Sequence, residues 1–145
     1  MNPILGVDFG KARIGLAISD ELRWLAHPLE TITAASGAVK RVARIVRERK
    51  IDIVVVGIPK TMSGEIGKSA SEAFAFVEKL RAALPCEVVT WDERLTTIAA
   101  QRALHEAGKK TRATRQVVDQ VAAQMILQSY LDRQRKAVPG EEISR

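Results

Sequence analysis

Hydrophobic and polar positions along this chain fall into two alternating periods. Ile4-Leu5 and Gly15-Leu16-Ala17-Ile18 are short apolar runs separated by Gly10 and Lys11-Ala12-Arg13, a pattern that reads as a strand, a tight glycine-containing turn and a returning strand. Trp24 to Ile32 is a third candidate strand, and Pro28 inside it suits an edge or a bulge because proline donates no ladder hydrogen bond. The period then changes. Val39, Val42, Ala43, Ile45 and Val46 form one stripe, with Lys40, Arg41, Arg44, Arg47 and Lys50 pointing more nearly outward, which predicts a helix capped by Ser36 and running through Lys50. The β-branched run from Ile51 to Ile58, flanked by helices, predicts a central parallel strand. Pro59 to Gly67, rich in Pro, Gly and hydroxyls, follows at the strand end where ligand loops gather in open α/β sheets.

The remainder continues the alternation. Lys68 to Leu84 predicts a helix with Ala70, Ala73, Phe74, Phe76, Val77 and Leu80 inward, closed by Pro85. Cys86 to Trp91 is a short strand rich in β-formers, and Thr97 to Ala107 a helix stopped by Gly108. Lys109 to Thr114 reads as a basic loop, and Thr114 as the cap of a last helix from Arg115 to about Lys136, with Val117, Val118, Val121, Ala122, Met125, Ile126 and Tyr130 inward. Strands alternating with helices make this an α/β chain. One domain is expected over residues 1–138, with 139–145 as a frayed tail.

Composition narrows the partners. Against 17 acids stand 23 Lys and Arg, a net charge of +6 that favours a polyanion such as nucleic acid, a solvated positive face being the alternative. Aromatic residues make up 4%, too few for a platform that stacks successive bases. The single Cys86 cannot form an internal disulfide and has no zinc-type spacing to other Cys or His, so it reads as a small apolar residue. His27 and His105 lack the context of a nucleophilic triad, and no dinucleotide fingerprint or Walker sequence is present. The longest apolar runs are far too short for a signal or membrane span, which makes a cytoplasmic protein with no membrane partner the default expectation.

Three acids sit where an element meets the core or the sheet end. Asp8 lies in the first strand between Gly6 and Gly10, Glu93 follows the fifth strand, and Asp119 falls on the flank of the last helix, with the small Ala122 and Ala123 one turn later. A carboxylate in a buried strand is costly without a cation or several donors. Asp8 is therefore a metal- or phosphate-facing group or a turn device, and Asp119 alone reads more readily as a cap or salt-bridge partner than as a ligand. Adjacent strand-end residues point to opposite sides, so Glu93 is favoured over Asp92 as a ligand, with Asp92 left structural. Three convergent carboxylates would suit Mg²⁺ or Mn²⁺ and metal-assisted phosphodiester hydrolysis.

Four motifs in this order carry a family resemblance: Gly6 to Gly15, Val56-Gly57-Ile58-Pro59 with Met62-Ser63-Gly64, Asp92 to Thr97, and Val118 to Ala123 leading into Ile126-Leu127-Gln128. From about Ile4 to Leu131 the chain resembles the YqgF family, also called RuvX, of bacterial RNase H-like proteins. Members are described as Holliday junction resolvases and as nucleases that mature precursor 16S ribosomal RNA. The opening motif alone is shared with sugar-kinase and actin-like ATPases; the four together are specific.

The resemblance implies an RNase H-like fold, with a five-stranded mixed sheet flanked by helices, and a metal-dependent nuclease site at Asp8, Glu93 and Asp119. Contacts to nucleic acid are expected from Lys11, Arg13, Lys60, Ser63, Arg94, Lys110, Arg112 and Arg115. Lys60 and Thr61 stand where many relatives have Leu and Asn, a departure that bears on substrate preference more than on catalysis. Maturation of the 5′ end of precursor 16S RNA, alone or on the small ribosomal subunit, is the favoured function. Cleavage of branched DNA, or a non-catalytic role in ribosome assembly, are the alternatives. The chain is expected to act as a monomer or homodimer.

Overall fold

The structure, a computed structural model, describes residues 1–60, 66–96 and 112–136. Its elements are β1 (Ile4–Phe9), β2 (Arg13–Ser19), β3 (Ala26–Thr33), α1 (Ala38–Arg49), β4 (Ile53–Ile58), α2 (Lys68–Ala83), β5 (Glu87–Asp92), a 3₁₀ turn (Glu93–Leu95) and α3 (Arg112–Arg135). The strands form one mixed sheet in the order β3-β2-β1-β4-β5. β1 to β3 run antiparallel as a meander, whereas β4 and β5 join β1 in parallel, each after a helical crossover or connection. The five-stranded mixed sheet expected for an RNase H-like fold is therefore what the chain builds.

Side-chain alternation divides the sheet into two unlike faces. Leu5, Val7, Ile14, Leu16, Val54, Val56 and Ile58 point toward α1 and α2, where Val42, Ile45, Val46, Phe76, Val77 and Leu80 meet them in the larger apolar cluster. Ile4, Ala17, Ile53 and Val55 point toward α3 and pack on Ala122, Ala123, Ile126, Leu127 and Tyr130. Glycines hold α3 close to this second face. A Cβ at Gly6 would lie 2.7 Å from Leu127 Cβ, and one at Gly15 only 2.0 Å from the Asp119 carbonyl oxygen.

Glutamines at four-residue spacing fix α3 against the edge strand. Gln124 Nε2 donates to the Ala26 carbonyl at 2.9 Å, while Gln128 Oε1 accepts from the Ala26 amide at 2.8 Å. Gln120 Nε2 donates to Thr31 Oγ1, which itself donates to the Gln116 carbonyl. On β3, the edge strand predicted to tolerate Pro28, this row thus satisfies the Ala26 backbone and the Thr31 hydroxyl. Its register against β2 shifts between Leu16 and Ala17, opposite Glu30 and Pro28, so the proline sits at both an edge and a bulge.

Several helix ends differ from expectation. α1 begins at Ala38 with Gly37 as N-cap and no side-chain cap, so Ser36 does not serve. α3 begins at Arg112, which places Thr114 inside the helix rather than at its cap. Val117, expected inward, is 55% exposed, because two residues before Asp119 it falls on the side of α3 away from the sheet. The ends of α1 and α2 follow local chemistry: Lys50 takes a left-handed conformation after α1, and Leu84 turns extended ahead of Pro85. The predicted helix from Thr97 to Ala107, residues 109–111 of the predicted loop, and the tail from Pro139 lie outside the described residues, while 112–114 of that loop are helical. Among the described residues no helix is long and apolar enough to cross a membrane.

Candidate active site

The site begins with Asp8. Gly6, two residues earlier in β1, faces α3, so Asp8 faces α3 as well. It is 4% exposed, one of two buried polar side chains among the described residues. Its cross-strand partner in β2 is Gly15 and its partner in β4 is Gly57, which itself registers with Trp91 in β5. A carboxylate thus stands in a row of the sheet whose immediate neighbours have no side chains.

Each glycine brings one further acid to the row. Asp119, two turns into α3, lies over Gly15, whose added Cβ would sit 3.1 Å from the Asp119 Cβ. Glu93, the first residue of the 3₁₀ turn after β5, reaches back toward Gly57, whose added Cβ would lie 3.1 Å from Glu93 Oε2 and 2.4 Å from Ile126 Cδ1. Trp91 closes the far side of the row, donating Nε1–H to Ser129 Oγ at 3.0 Å and standing edge-on to Tyr130. Gly15 and Gly57 were absent from the sequence-derived site. Their signal was available, since glycine inside a strand marks close approach of another chain segment or a ligand.

Basic side chains surround the acids, and several are engaged with them. Arg13 Nε donates to Asp119 Oδ2 at 2.6 Å, so this predicted nucleic-acid contact is an ion-pair partner of a candidate ligand. Asp92 caps the 3₁₀ turn by accepting from the Arg94 amide at 2.9 Å, and its carboxylate is gripped by the Arg94 guanidinium at 2.7 to 3.1 Å. Lys60 Nζ approaches the same carboxylate at 3.9 Å. The Arg94 hydrogen bonds hold the Asp92 carboxyl below its usual range, and Asp92 in turn raises the guanidinium. Asp92 thus caps the turn and pairs with Arg94. Lys11 is exposed and lies 3.9 Å from Glu72 beside the other face of the sheet. Arg115 is exposed on α3. Ser63 and Lys110 lie outside the described residues, as does the side chain of Arg112.

Among the described residues, no three Asp, Glu, His or Cys side chains are grouped tightly enough to hold a metal ion. Asp119 Oδ2 is engaged by Arg13. The donor set nevertheless fits a hard divalent cation: every candidate ligand is a carboxylate, and the two glycines let the elements that carry Asp119 and Glu93 close onto the row of Asp8.

Comparison with known proteins agrees with this construction. Residues 2–133 match the family model RuvX, described as Holliday junction resolvase. A relative from Acetivibrio thermocellus, provisionally named a pre-16S rRNA nuclease, is 45% identical over 93% of this chain and 99% of its own length. One from Chloroflexus aggregans, with the same provisional name, is 48% identical over 91% and 94%. Among solved structures, Thermus thermophilus RuvC in complex with a Holliday junction substrate superposes with a TM-score of 0.56 at 14% identity, covering 94% of this chain and 97% of that one. The fowlpox virus Holliday junction resolvase gives 0.52 at 15%, covering 90% and 99%. These two likenesses establish the fold, and the extent of the sequence matches establishes kinship. The chain belongs to the RuvX family of nucleases, built on the RNase H-like fold.

Proposed function

We propose that this chain hydrolyses phosphodiester bonds at the 5′ end of precursor 16S ribosomal RNA, with Asp8, Glu93 and Asp119 as ligands of Mg²⁺ or Mn²⁺. The observation that carries the reading is the buried Asp8 between Gly15 and Gly57, with Asp119 over one glycine and Glu93 beside the other. A divalent cation held there would activate the attacking water and stabilise the departing oxygen of an in-line displacement. Asp8 supplies a ligand on a rigid strand, while Asp119 and Glu93 approach it from a helix and a turn. Arg13, released from Asp119, turns its guanidinium to a substrate phosphate. Lys60 and Arg94 keep positive charge at the carboxyl ends of β4 and β5, where the backbone of a bound strand passes. Lys11, Ser63, Lys110, Arg112 and Arg115 extend the contact along the nucleic acid.

The two provisionally named pre-16S rRNA nucleases, similar over nearly their whole length, support the RNA substrate and a place on the small ribosomal subunit. The description of the family model supports a second reading, cleavage of branched DNA by a homodimer.

The test is cleavage of a precursor 16S RNA fragment and of a synthetic four-way junction by wild type, Asp8→Asn, Glu93→Gln and Asp119→Asn, with Mg²⁺, Mn²⁺ or chelator. Each substitution and the chelator are expected to reduce RNA cleavage at least about a hundredfold. Equal cutting by Asp8→Asn removes the metal-site assignment. Cutting of the junction alone transfers the function to the second reading. Full rescue of ribosomal RNA maturation in cells by Asp8→Asn points instead to a non-catalytic assembly factor.

A further inference from the structure

α3 meets the acidic site at two levels. It carries Asp119 over Gly15 directly. About 15 Å further along its axis, at 1.5 Å per residue, Ser129 reaches the 3₁₀ turn that begins with Glu93. The Ser129 hydroxyl accepts from Trp91 Nε1–H at 3.0 Å and donates to the Leu95 carbonyl at 3.2 Å. A serine hydroxyl has one proton. With the indole N–H aimed at the oxygen, that proton is left for Leu95, so one half-buried side chain joins the end of β5, the last residue of the turn and the helix.

The other bonds of the turn are internal to it. Asp92 accepts from the Arg94 amide at 2.9 Å, and Thr96 returns its amide and its hydroxyl to the Glu93 carbonyl at 3.0 and 2.7 Å. They set the shape of the turn, whereas the bond from Ser129 sets its place against α3. Ile126, one helical turn before Ser129 and on the same face, marks where that place matters. A Cβ on Gly57 would meet Ile126 Cδ1 at 2.4 Å and Glu93 Oε2 at 3.1 Å, so the carboxylate and the helix share the space over one glycine.

We propose that Ser129 is a positioning residue of the nuclease site: by holding the Leu95 carbonyl to α3, it keeps the Glu93 carboxylate over Gly57 at a fixed separation from Asp119 on the same helix. The proposal rests on Glu93 as a metal ligand in the function proposed above. Groups that orient a ligand from behind are worth about 10- to 100-fold in metal affinity or activity. A purely structural role is the competing account, since a part-buried indole N–H calls for an acceptor whether or not the turn is tied. The two accounts differ in what Ser129 acts through.

The experiment measures cleavage of a precursor 16S RNA fragment with Mn²⁺, and amide hydrogen exchange at Thr96, in the full chain. Its variants are Ser129→Ala, alone and combined with Trp91→Phe or Glu93→Gln. Alanine is the best helix former, so Ser129→Ala keeps α3 intact. It is expected to speed exchange at Thr96, as the loosened turn opens more often, and to lower kcat about tenfold with KM changed less than about twofold. The same tenfold loss is expected when Trp91 is already Phe. When Glu93 is already Gln, Ser129→Ala should add less than about a twofold loss, because the group it positions is gone. Wild-type kcat in Ser129→Ala beside an impaired Glu93→Gln overturns the proposal and leaves the nuclease reading standing. So does a loss that vanishes in the Trp91→Phe background, or one that is undiminished in the Glu93→Gln background. Wild-type cleavage by Glu93→Gln, with exchange at Thr96 still faster in Ser129→Ala, instead overturns the ligand reading and leaves the bond from Ser129 a structural tie only.

Discussion

Gly15→Ala is the sharpest probe of the acidic site, because the atom it adds meets backbone. The new Cβ would lie 2.0 Å from the Asp119 carbonyl oxygen, so reaching a tolerable 3.0 Å requires at least 1.0 Å of relative movement (3.0 − 2.0) between β2 and α3. Neither element moves freely: β2 is paired on both sides, and α3 is locked by its buried stripe and its glutamines. Overpacking of this kind costs about 1–3 kcal/mol, and a backbone clash belongs at the upper end. For a chain of this size that corresponds to a fall in Tm of about 10 °C. Displacing Asp119 by an ångström also predicts a loss of cleavage of about a hundredfold, larger than partial unfolding at the assay temperature would produce. Gly57→Ala differs in kind. Its Cβ meets the Ile126 Cδ1 end at 2.4 Å, which a rotamer change at a cost of about 1 kcal/mol relieves. Adding Ile126→Val should then restore part of the lost stability, whereas it should not rescue Gly15→Ala. Thermal melts followed by circular dichroism, with parallel cleavage assays, check the series. A Gly15→Ala protein that melts within 2 °C of wild type and cleaves normally would refute the close approach of α3 and the dependence of the site upon it.

Three further outcomes are expected. Asp92 has a depressed folded pKa through its Arg94 contact, so its contribution is present above the unfolded carboxylate value and fades as pH falls through the folded one. The Tm gap between wild type and Asp92→Asn should be widest near neutral pH, remain under about 1 kcal/mol in equivalent stability, and narrow in acid; a gap independent of pH contradicts this. Arg13→Met removes the partner that competes for Asp119 and should tighten Mn²⁺ binding about fivefold in calorimetric titration while weakening nucleic-acid binding, and unchanged metal affinity would exclude such competition. Gly67 is the N-cap of α2 with extended backbone and, among the described residues, no side-chain cap and open space around its Cα, so Gly67→Ser should stabilise by a few tenths of a kcal/mol, read as a higher melting temperature.

Hydrophobic periodicity determined most of the fold by itself. The alternation of β1 and β2, the unbroken Ile53–Ile58 run and the stripes of α1 and α2 need no partner to be recognised, because each encodes which of its faces avoids water. The same local logic placed Pro28 at an edge. Helix starts were less legible: Gly37 caps α1 where Ser36 was expected, and α3 begins ahead of Thr114, since the side chain that captures a terminal amide depends on where the preceding loop delivers it. Asp8, Glu93 and Asp119 are separated by many residues, and what brings them toward one row is the register of β1 between Gly15 and Gly57 and the close approach of α3. Register and helix approach are properties of packed elements, and so are the Arg13–Asp119 pair, the row of glutamines on β3 and the bonds of Ser129 to Trp91 and Leu95. The sequence determined the chemical types available; tertiary packing decided which of them meet, because distances between remote residues are set only once the sheet and its helices close around a common core.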